Sequence, residues 1–285
     1  MGYREYTDKT VSVSEYKLAV SDGAELKIID FIPSGGYENR PILIFVAGWI
    51  SLISGWKGVL REVTPVFRTI YVETREKSSS SVISINKKNF SMERLKLDLQ
   101  DVISEIIPSD KDYVLAGSSL GASTILEYCT DSERPAIGAV LIGPNSEFRF
   151  PRILGDLIPL IHPGMYNVVK PVIKWYLKNF RLDKKKSADQ VAKYERTLDE
   201  ADPYKLKANA LALMDYRVSG GISNIKIPCL IVGATTDTLH GTEGIKKLTE
   251  SIPGAEYIEL AGNTETHNEK AGRLIADYIR RISLQ

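Results

Sequence analysis

The sequence predicts an α/β fold: a mostly parallel central sheet with helices on both faces and a helical lid insertion. Short apolar runs alternate with helical segments along most of the 285 residues, an order typical of parallel sheets. Several runs are continuously apolar, as expected of strands buried on both faces. Residues 149–215 break the alternation because they contain several helical segments and no convincing buried strand. We therefore predict a core formed by 1–148 and 216–285 and a lid formed by 149–215.

The first elements of the chain predict an antiparallel edge. Residues 10–20 alternate apolar and polar side chains, Asp22-Gly23 marks a turn, and Glu25–Ile32 forms a second strand. After this pair, strands and helices alternate. The predicted elements are a strand at 41–48, a helix at 55–67, a strand at 69–74 and a helix at 91–107.

The last of these helices shows the clearest helical pattern. Its apolar residues recur at spacings of three and four, Ser91 can cap its start, and Pro108 ends it. The alternation then continues to the C-terminus. The remaining predicted elements are a strand at 112–116 with a helix after it, strands at 137–142 and 227–232, a helix at 242–251, a strand at 256–260 and a final helix at 269–282.

Composition limits the partners and the location that we expect. The formal net charge is +1, which gives no reason to expect nucleic-acid binding. No apolar run is long enough for a transmembrane helix, the N-terminus lacks a secretory pattern, and Tyr6 stands where myristoylation requires Ser or Thr. We expect a cytoplasmic protein whose two cysteines, Cys129 and Cys229, are free thiols, with a disulfide as the alternative.

The segment with the strongest chemical signal runs from the strand at 112–116 into Gly117-Ser118-Ser119-Leu120-Gly121 and then into a helix. A serine at such a sharp turn is presented on a strained backbone, and bulky neighbours would collide with adjoining elements. Gly117 and Gly121 remove those side chains. The start of a helix also offers backbone N–H groups to a developing negative charge. We predict that Ser119 is a nucleophile.

A serine nucleophile needs a base, which is normally a histidine held by a carboxylate. The chain has three histidines. His267 follows the strand at 256–260, and Asp237 follows the strand at 227–232, so both lie where parallel strands deliver functional loops. We predict His267 as the base and Asp237 as the acid. No Cys/His cluster has metal-ligand spacing, and we expect no metal and no cofactor.

These segments resemble the α/β-hydrolase family over nearly the whole chain except the lid, most of all lid-bearing serine esterases and monoglyceride-type lipases. The matching residues are 117–121, Asp237, His267 and Val46-Ala47-Gly48-Trp49. The resemblance implies the chain order serine, acid, histidine. It also implies that the backbone N–H groups of Leu120 and Trp49 bind the oxyanion.

Three other residues remain as alternatives for parts of this site. His240 is a second candidate base, although it lies only three residues from Asp237 and fits the acid loop better. His162 lies in the lid, where a structural or pocket-lining role is expected. Glu147, close to Asn145 after the strand at 137–142, is an alternative acid.

Two segments depart from the family pattern. Many similar proteins have His-Gly in the oxyanion loop, whereas this chain has Ala47-Gly48, so a hydrogen bond that steadies the loop is absent. A glycine-rich turn is common after the strand at 69–74, whereas this chain has residues 75–81, Arg-Glu-Lys-Ser-Ser-Ser-Ser. Relatives with an aspartate nucleophile do not match, because residue 119 is serine.

The predicted function is a serine hydrolase that cleaves a small-molecule carboxylic ester through an acyl-enzyme on Ser119. The alternatives that use the same residues are an acyltransferase, a thioesterase, an amidase and a carbon–carbon bond hydrolase. A binding protein that keeps the fold without turnover is the alternative from another class. The basic, aromatic-containing lid predicts either weak contact with an anionic membrane surface or a solvated helix face. The sequence does not assign an oligomeric state.

Overall fold

The computed structural model describes residues 2–148, 152–176, 188–218, 220–235 and 242–284. Eight strands within these residues form a single sheet. The strands are β1 (Ser12–Ala19), β2 (Glu25–Ile32), β3 (Ile42–Val46), β4 (Thr69–Glu73), β5 (Tyr113–Ser118), β6 (Gly138–Ile142), β7 (Cys229–Ala234) and β8 (Glu256–Leu260). Their order across the sheet is β1-β2-β4-β3-β5-β6-β7-β8.

The sheet is parallel except at one edge. β1 pairs antiparallel with β2, which in turn pairs antiparallel with β4. The pairs from β4 through β3, β5, β6 and β7 to β8 are parallel. The predicted mostly parallel sheet and its antiparallel edge are therefore confirmed. The carboxyl ends of the parallel strands lie at a common edge, where loops with functional side chains are expected.

Within the described residues, helices follow the strands from β3 onward. They are α1 (Lys57–Val63), α2 (Met92–Ile106), α3 (Leu120–Cys129), α4 (Arg152–Leu157), α5 (Tyr166–Tyr176), α6 (Ala188–Glu200), α7 (Pro203–Met214), α8 (Thr242–Glu250) and α9 (Glu269–Ile282). α1 is shorter than the predicted helix at 55–67, because its first turn is the 3₁₀ helix Ile53–Trp56 and Pro65 follows its end. Ser91 caps α2 as predicted, accepting the Arg94 N–H at 3.3 Å.

The apolar core has one layer on each face of the sheet. α2, α3 and α8 pack on one face, whereas α1 and α9 pack on the other. Every residue of the central strands β3, β5, β6 and β7 is buried, which explains their continuous apolar sequences. Each fully buried large apolar side chain contributes about 1.5–3 kcal/mol. The core thus fixes the sheet edge on which the loops stand.

Helices α4 to α7 connect β6 to β7. α7 packs on the core. Leu213 belongs to an apolar cluster with Leu95 and Leu120, and the buried Asn209 donates to the Phe90 carbonyl at 2.9 Å. α5 is different, since several of its apolar side chains are exposed. The division of the chain into a core and a lid at 149–215 remains a prediction.

Candidate active site

Ser119 occupies the turn between β5 and α3 in an unusual backbone conformation. Its φ is 49° and its ψ is −111°, in the left-handed region that non-glycine residues rarely adopt. Such a conformation costs about 1–3 kcal/mol and persists only where the surroundings hold it. The Ser119 N–H donates to the Ile142 carbonyl at 2.8 Å, and the Ser119 carbonyl accepts the Ser123 N–H at 2.9 Å. Neighbouring backbone therefore maintains the strain.

The two glycines of this turn are required by close packing. A Cβ at position 117 would lie 2.9 Å from the Val46 carbonyl oxygen and 2.9 Å from the Gly121 carbonyl carbon. A Cβ at position 121 would overlap the same Val46 oxygen and lie 2.7 Å from the Ala47 oxygen. These neighbours are backbone atoms, which cannot move aside as a flexible side chain can. The collisions expected from the sequence motif are present.

The Ser119 hydroxyl lies beside Asn145, which follows β6. Asn145 Nδ2 is 3.3 Å from Ser119 Oγ. The backbone of Asn145 is fixed by Ser123, whose hydroxyl accepts the Asn145 N–H at 2.9 Å and donates to the Asn145 carbonyl at 3.1 Å. Asn145, which follows the same strand as the alternative acid Glu147, therefore lies against the predicted nucleophile.

His267 ends a 3₁₀ helix, Glu265–His267, that follows β8. Its Nδ1 lies 3.0 Å from the Asn263 carbonyl oxygen and 2.8 Å from the Thr266 hydroxyl. The Thr266 hydroxyl donates to the Asn263 carbonyl at 2.8 Å, so it can accept from His267. With two acceptors at Nδ1, the neutral ring carries its proton there and leaves Nε2 as the basic nitrogen.

The segment 48–56 connects the surroundings of Ser119 to those of His267. At one end, a Cβ on Gly48 would lie 3.5 Å from Ser119 Cβ. At the other end, the Trp56 ring packs on the His267 ring with centroids 4.2 Å apart, and Trp56 Nε1 donates to Ser51 Oγ at 2.9 Å. This segment therefore passes close to Ser119 and packs on His267.

The candidate acids differ in what the structure describes. Asp237 and the alternative base His240 lie outside the described residues. The alternative acid Glu147 forms an ion pair with Arg217, with Oε2 3.0 Å from Nε. His162 is exposed, and its Nδ1 accepts the Gly164 N–H at 3.1 Å at the start of a 3₁₀ helix. That contact fits the structural role expected for His162.

The two predicted oxyanion donors belong to different elements. Leu120 is the first residue of α3 and is fully buried, and first-turn N–H groups of a helix point away from its own carbonyls. Trp49 follows β3 in the loop whose next residue, Ile50, has a φ of 45°. A β-branched residue with positive φ is a true conformational outlier. Strain is thus present on both sides of the predicted oxyanion position.

A group of charged residues in the turn after β4 is buried, which no sequence pattern predicts. Arg75 is fully buried and forms ion pairs with Asp98 and with Asp22, the latter at 2.9 Å. Glu76 and Lys77 are also buried and lie 3.2 Å apart. The partners of these side chains come from the turn between β1 and β2, from α2 and from the loop after β3, so no local pattern could have identified them.

Beside this group is a cavity of about 440 Å³. Ile50 and Ser54 of the loop after β3, Lys77 and Ser79 of the turn after β4, and Arg196 and Glu200 of α6 are among its lining residues. The lining combines these charged and polar side chains with apolar ones, Leu52 and Ile53 among them. Among the residues described, no group of three or more His, Cys, Asp or Glu side chains could hold a metal ion.

No protein-family model and no curated protein matches this chain. Solved structures do match it. An enol-lactonase from Burkholderia xenovorans LB400 has a TM-score of 0.76 and 18% identity, over 93% of this chain and 100% of the other. A thermophilic esterase from Thermogutta terrifontis has a TM-score of 0.75 and 17% identity, over 95% and 99%. The chain has the α/β-hydrolase fold.

The α/β-hydrolase fold alone does not determine the reaction. A bromoperoxidase from Bacillus anthracis is similar to nearly the same degree, with a TM-score of 0.74 and 14% identity over 94% of this chain and 100% of the other. The chemistry must therefore be argued from the residues at the sheet edge.

Proposed function

We propose that this α/β-hydrolase-fold protein is a serine hydrolase that cleaves carboxylic esters of small molecules. The observation that carries the proposal is the strained turn at Ser119. A chain does not hold a non-glycine residue at a φ of 49°, between two glycines that admit no Cβ, for stability alone. The turn presents a hydroxyl at the carboxyl edge of the sheet, beside a loop that also contacts His267.

In the proposed mechanism, Ser119 Oγ attacks the ester carbonyl carbon while its proton passes to His267 Nε2. The carbonyl oxygen becomes an oxyanion and accepts hydrogen bonds from the Trp49 and Leu120 N–H groups, each worth about 3 kcal/mol of the barrier. Collapse expels the alcohol, which takes the proton from His267. Water then attacks the acyl-enzyme, His267 takes its proton, and the acid leaves as Ser119 regains its hydrogen.

The proposed role of Asp237 is to hold His267 and to stabilise its protonated form. The contacts at His267 Nδ1 support the base assignment, because the Asn263 carbonyl and the Thr266 hydroxyl favour the tautomer that the mechanism needs. The contact between Glu147 and Arg217 favours Asp237 over Glu147, since an ion-paired carboxylate is already engaged elsewhere.

The proposal is tested by hydrolysis of p-nitrophenyl esters from acetyl to palmitoyl, with wild-type protein and Ser119→Ala. We expect turnover by the wild type alone, with a preference for short to medium acyl groups. Turnover of long-chain esters only would replace the esterase by a lipase. Addition of alcohol and thiol acceptors separates hydrolysis from acyl transfer, because an acyltransferase would form the new ester in preference to the free acid.

A second proposal concerns 149–215, which we propose is a lid that contacts anionic lipid surfaces. Val168, Val172 and Trp175 lie on one face of α5 and are 73%, 62% and 58% exposed. Lys170 and Lys174 share that helix and both pair with Asp199, at 3.0 Å and 2.7 Å. The lysines lie on the opposite face of α5 from this exposed apolar stripe, and a helix with one apolar and one basic face suits a membrane interface. Among the described residues, no helix is long and apolar enough to cross a membrane.

Co-sedimentation with vesicles tests this second proposal. We expect wild-type protein to sediment with phosphatidylserine-containing vesicles at low salt, and to sediment less after Val172→Glu. Absence of binding to anionic vesicles would reject it. Gel filtration at several concentrations is the control, because self-association through the same stripe would change the elution volume without lipid.

A further inference from the structure

Two buried ions, Glu76 and Lys77, lie in the turn after β4. Glu76 is fully buried and Lys77 is 5% exposed. Glu76 Oε1 accepts from the Thr74 hydroxyl at 2.8 Å and lies 3.2 Å from Lys77 Nζ. Burial of an ion pair costs desolvation free energy that well-packed apolar side chains would not, so such a pair is weak evidence for a role in stability. The contacts of the pair indicate another role.

Both ions contact the backbone of the oxyanion loop. Lys77 Nζ donates to the Gly48 carbonyl at 3.2 Å, and Glu76 Oε1 accepts the Ile50 N–H at 3.2 Å. These two backbone groups flank Trp49, the residue proposed to donate its N–H to the oxyanion. Each ion therefore forms a hydrogen bond with one of the two peptide units that meet at Trp49.

Because a peptide unit is planar, the contact at the Gly48 carbonyl also determines the direction of the Trp49 N–H. The Gly48 carbonyl and the Trp49 N–H belong to the same planar unit and point in opposite directions. When Lys77 and the Ser51 N–H, at 3.0 Å, hold the carbonyl oxygen, the direction of the Trp49 N–H is fixed as well. A cation on the carbonyl also polarises the peptide and strengthens its N–H as a donor.

The contact at Ile50 holds a conformation that would otherwise relax. The φ of Ile50 is 45°, and a β-branched residue does not keep this value without external constraint. Because the Ile50 N–H is held by Glu76, the loop cannot turn over and carry the Trp49 peptide with it. The negative charge of Glu76 is offset by Lys77 and by Lys205, which donates to the carbonyls of Lys77 and Ser80 at 2.9 Å and 2.7 Å.

We propose that Glu76 and Lys77 are positioning residues that aim the Trp49 N–H at the substrate carbonyl oxygen. This inference rests on the proposed ester hydrolysis and assigns a role to the two departures from the family pattern. Ala47 stands where similar proteins have the histidine that steadies the loop, and the charged turn after β4 supplies the hydrogen bonds instead. The two departures then compensate each other.

The test compares Lys77→Met, Glu76→Ala and Glu76→Gln with wild type. The readouts are kcat and KM on the best p-nitrophenyl ester and Ki for a trifluoromethyl ketone with the same acyl group. Ser119 Oγ adds to that ketone, its proton passes to His267, and the ketone oxygen becomes an oxyanion. A misdirected N–H weakens the transition state and this adduct together, but it leaves the ground-state ester nearly unaffected.

For Lys77→Met and Glu76→Ala we expect kcat to fall about 10- to 100-fold, KM to change little, and Ki to rise by the same factor as kcat falls. Glu76→Gln keeps an oxygen for the Ile50 N–H, so it should recover most of the loss. The stability-matched control is Asn209→Ala, which removes a buried hydrogen bond to Phe90 and touches no atom of the loop. It should leave kcat and Ki unchanged.

Lys77→Arg provides the test if Lys77→Met does not fold, because it keeps the buried positive charge. The planar guanidinium group of arginine replaces the compact ammonium group of lysine poorly as a donor to the Gly48 carbonyl. We therefore expect kcat to fall and KM to stay the same. Wild-type kcat and Ki in folded Lys77→Arg and Glu76→Ala would overturn this inference alone. A wild-type protein that neither hydrolyses esters nor binds the ketone would overturn the proposed function, and this inference with it.

Discussion

The nucleophile turn, 117–121, and the oxyanion loop, 47–50, lie side by side and are held in different ways. At the turn, backbone packs on backbone, and a Cβ on either glycine would collide with the Val46 carbonyl. At the loop, the side chains of Glu76 and Lys77 hold the flanking peptide groups from a distant turn. Both regions contain a non-glycine residue with positive φ, Ser119 and Ile50.

A strained backbone can therefore be held either by steric contact or by hydrogen bonds to buried charged side chains. Steric fixation requires particular small residues at particular spacings, so it leaves a motif in the sequence. Fixation by charge requires only that a side chain from another segment reach the right peptide group. Variants of the two regions test whether they differ in this way.

Removal of the nucleophile should have the largest effect. Ser119→Ala should lower kcat/KM for the best p-nitrophenyl ester by about 10⁴-fold or more, because the acyl-enzyme cannot form. The midpoint of thermal unfolding should stay the same or rise, since alanine loses a functional hydroxyl and little packing. Retention of most activity in this variant would mean that the turn is strained for some other reason.

Removal of the acid should have the next largest effect. Asp237→Asn should lower kcat by about 10³- to 10⁴-fold, because His267 would no longer be stabilised when it is protonated. Glu147→Gln should leave kcat close to the wild-type value. The reverse result would assign the acid to the end of β6 and correct the position predicted here.

Loss of the buried cation at Arg75 tests charge as a means of fixation. Arg75→Met should lower the free energy of unfolding in urea by about 3–5 kcal/mol, because Asp98 would remain buried without its main partner. The matched control is Arg280→Met, which removes an exposed ion pair with Asp277 and should cost about 0.5 kcal/mol or less. Equal effects of the two variants would contradict the distinction between buried and surface charge.

A methyl group at the nucleophile turn tests steric fixation. Gly121→Ala should destabilise the fold by about 3 kcal/mol, because the added Cβ overlaps backbone oxygen atoms. Gly244→Ala in α8 is the control, since no atom lies within 4 Å of the added Cβ, and it should stabilise the protein by about 0.5–1 kcal/mol. Gly121→Ala with wild-type stability would show that the turn has room to adjust.

The two thiols should have the smallest effect on activity. Both cysteines are free in the structure, and burial raises the pKa of Cys229 to about 12 and that of Cys129 well above its usual value. Below such pKa values the thiols stay protonated and unreactive. At neutral pH, native protein should react with Ellman's reagent at neither site and lose no activity, whereas urea-unfolded protein should react at both. Rapid inactivation of the native protein would place a thiol near the site.

Sequence patterns were sufficient for the parts of the fold that local chemistry determines. Continuous apolar runs identified the central strands, and the glycine spacing around Ser119 identified the strand-to-helix turn. The apolar pattern of α2 did not predict a buried carboxylate in this helix. The structure buries Asp98, where the carboxylate accepts a hydrogen bond from Arg75.

The contacts of the oxyanion loop could not be predicted for a related reason. Residues 75–77 read as a departure from a glycine-rich pattern, and nothing local shows that Glu76 and Lys77 reach residues 48–50. Long-range contacts of charged side chains depend on the final fold, whereas steric motifs depend on neighbours in the chain. His267 could be placed after its strand, but its hydrogen bonds at Nδ1 became visible only in three dimensions.

Covalent labelling with a fluorophosphonate is decisive for the proposed nucleophile, because it requires a serine that is activated by a base. Peptide mass spectrometry of labelled, folded protein should find a single modified site at Ser119, and His267→Ala should slow the labelling strongly while the fold is retained. Folded wild-type protein that takes up no label at Ser119, or that labels equally fast without His267, would contradict the account.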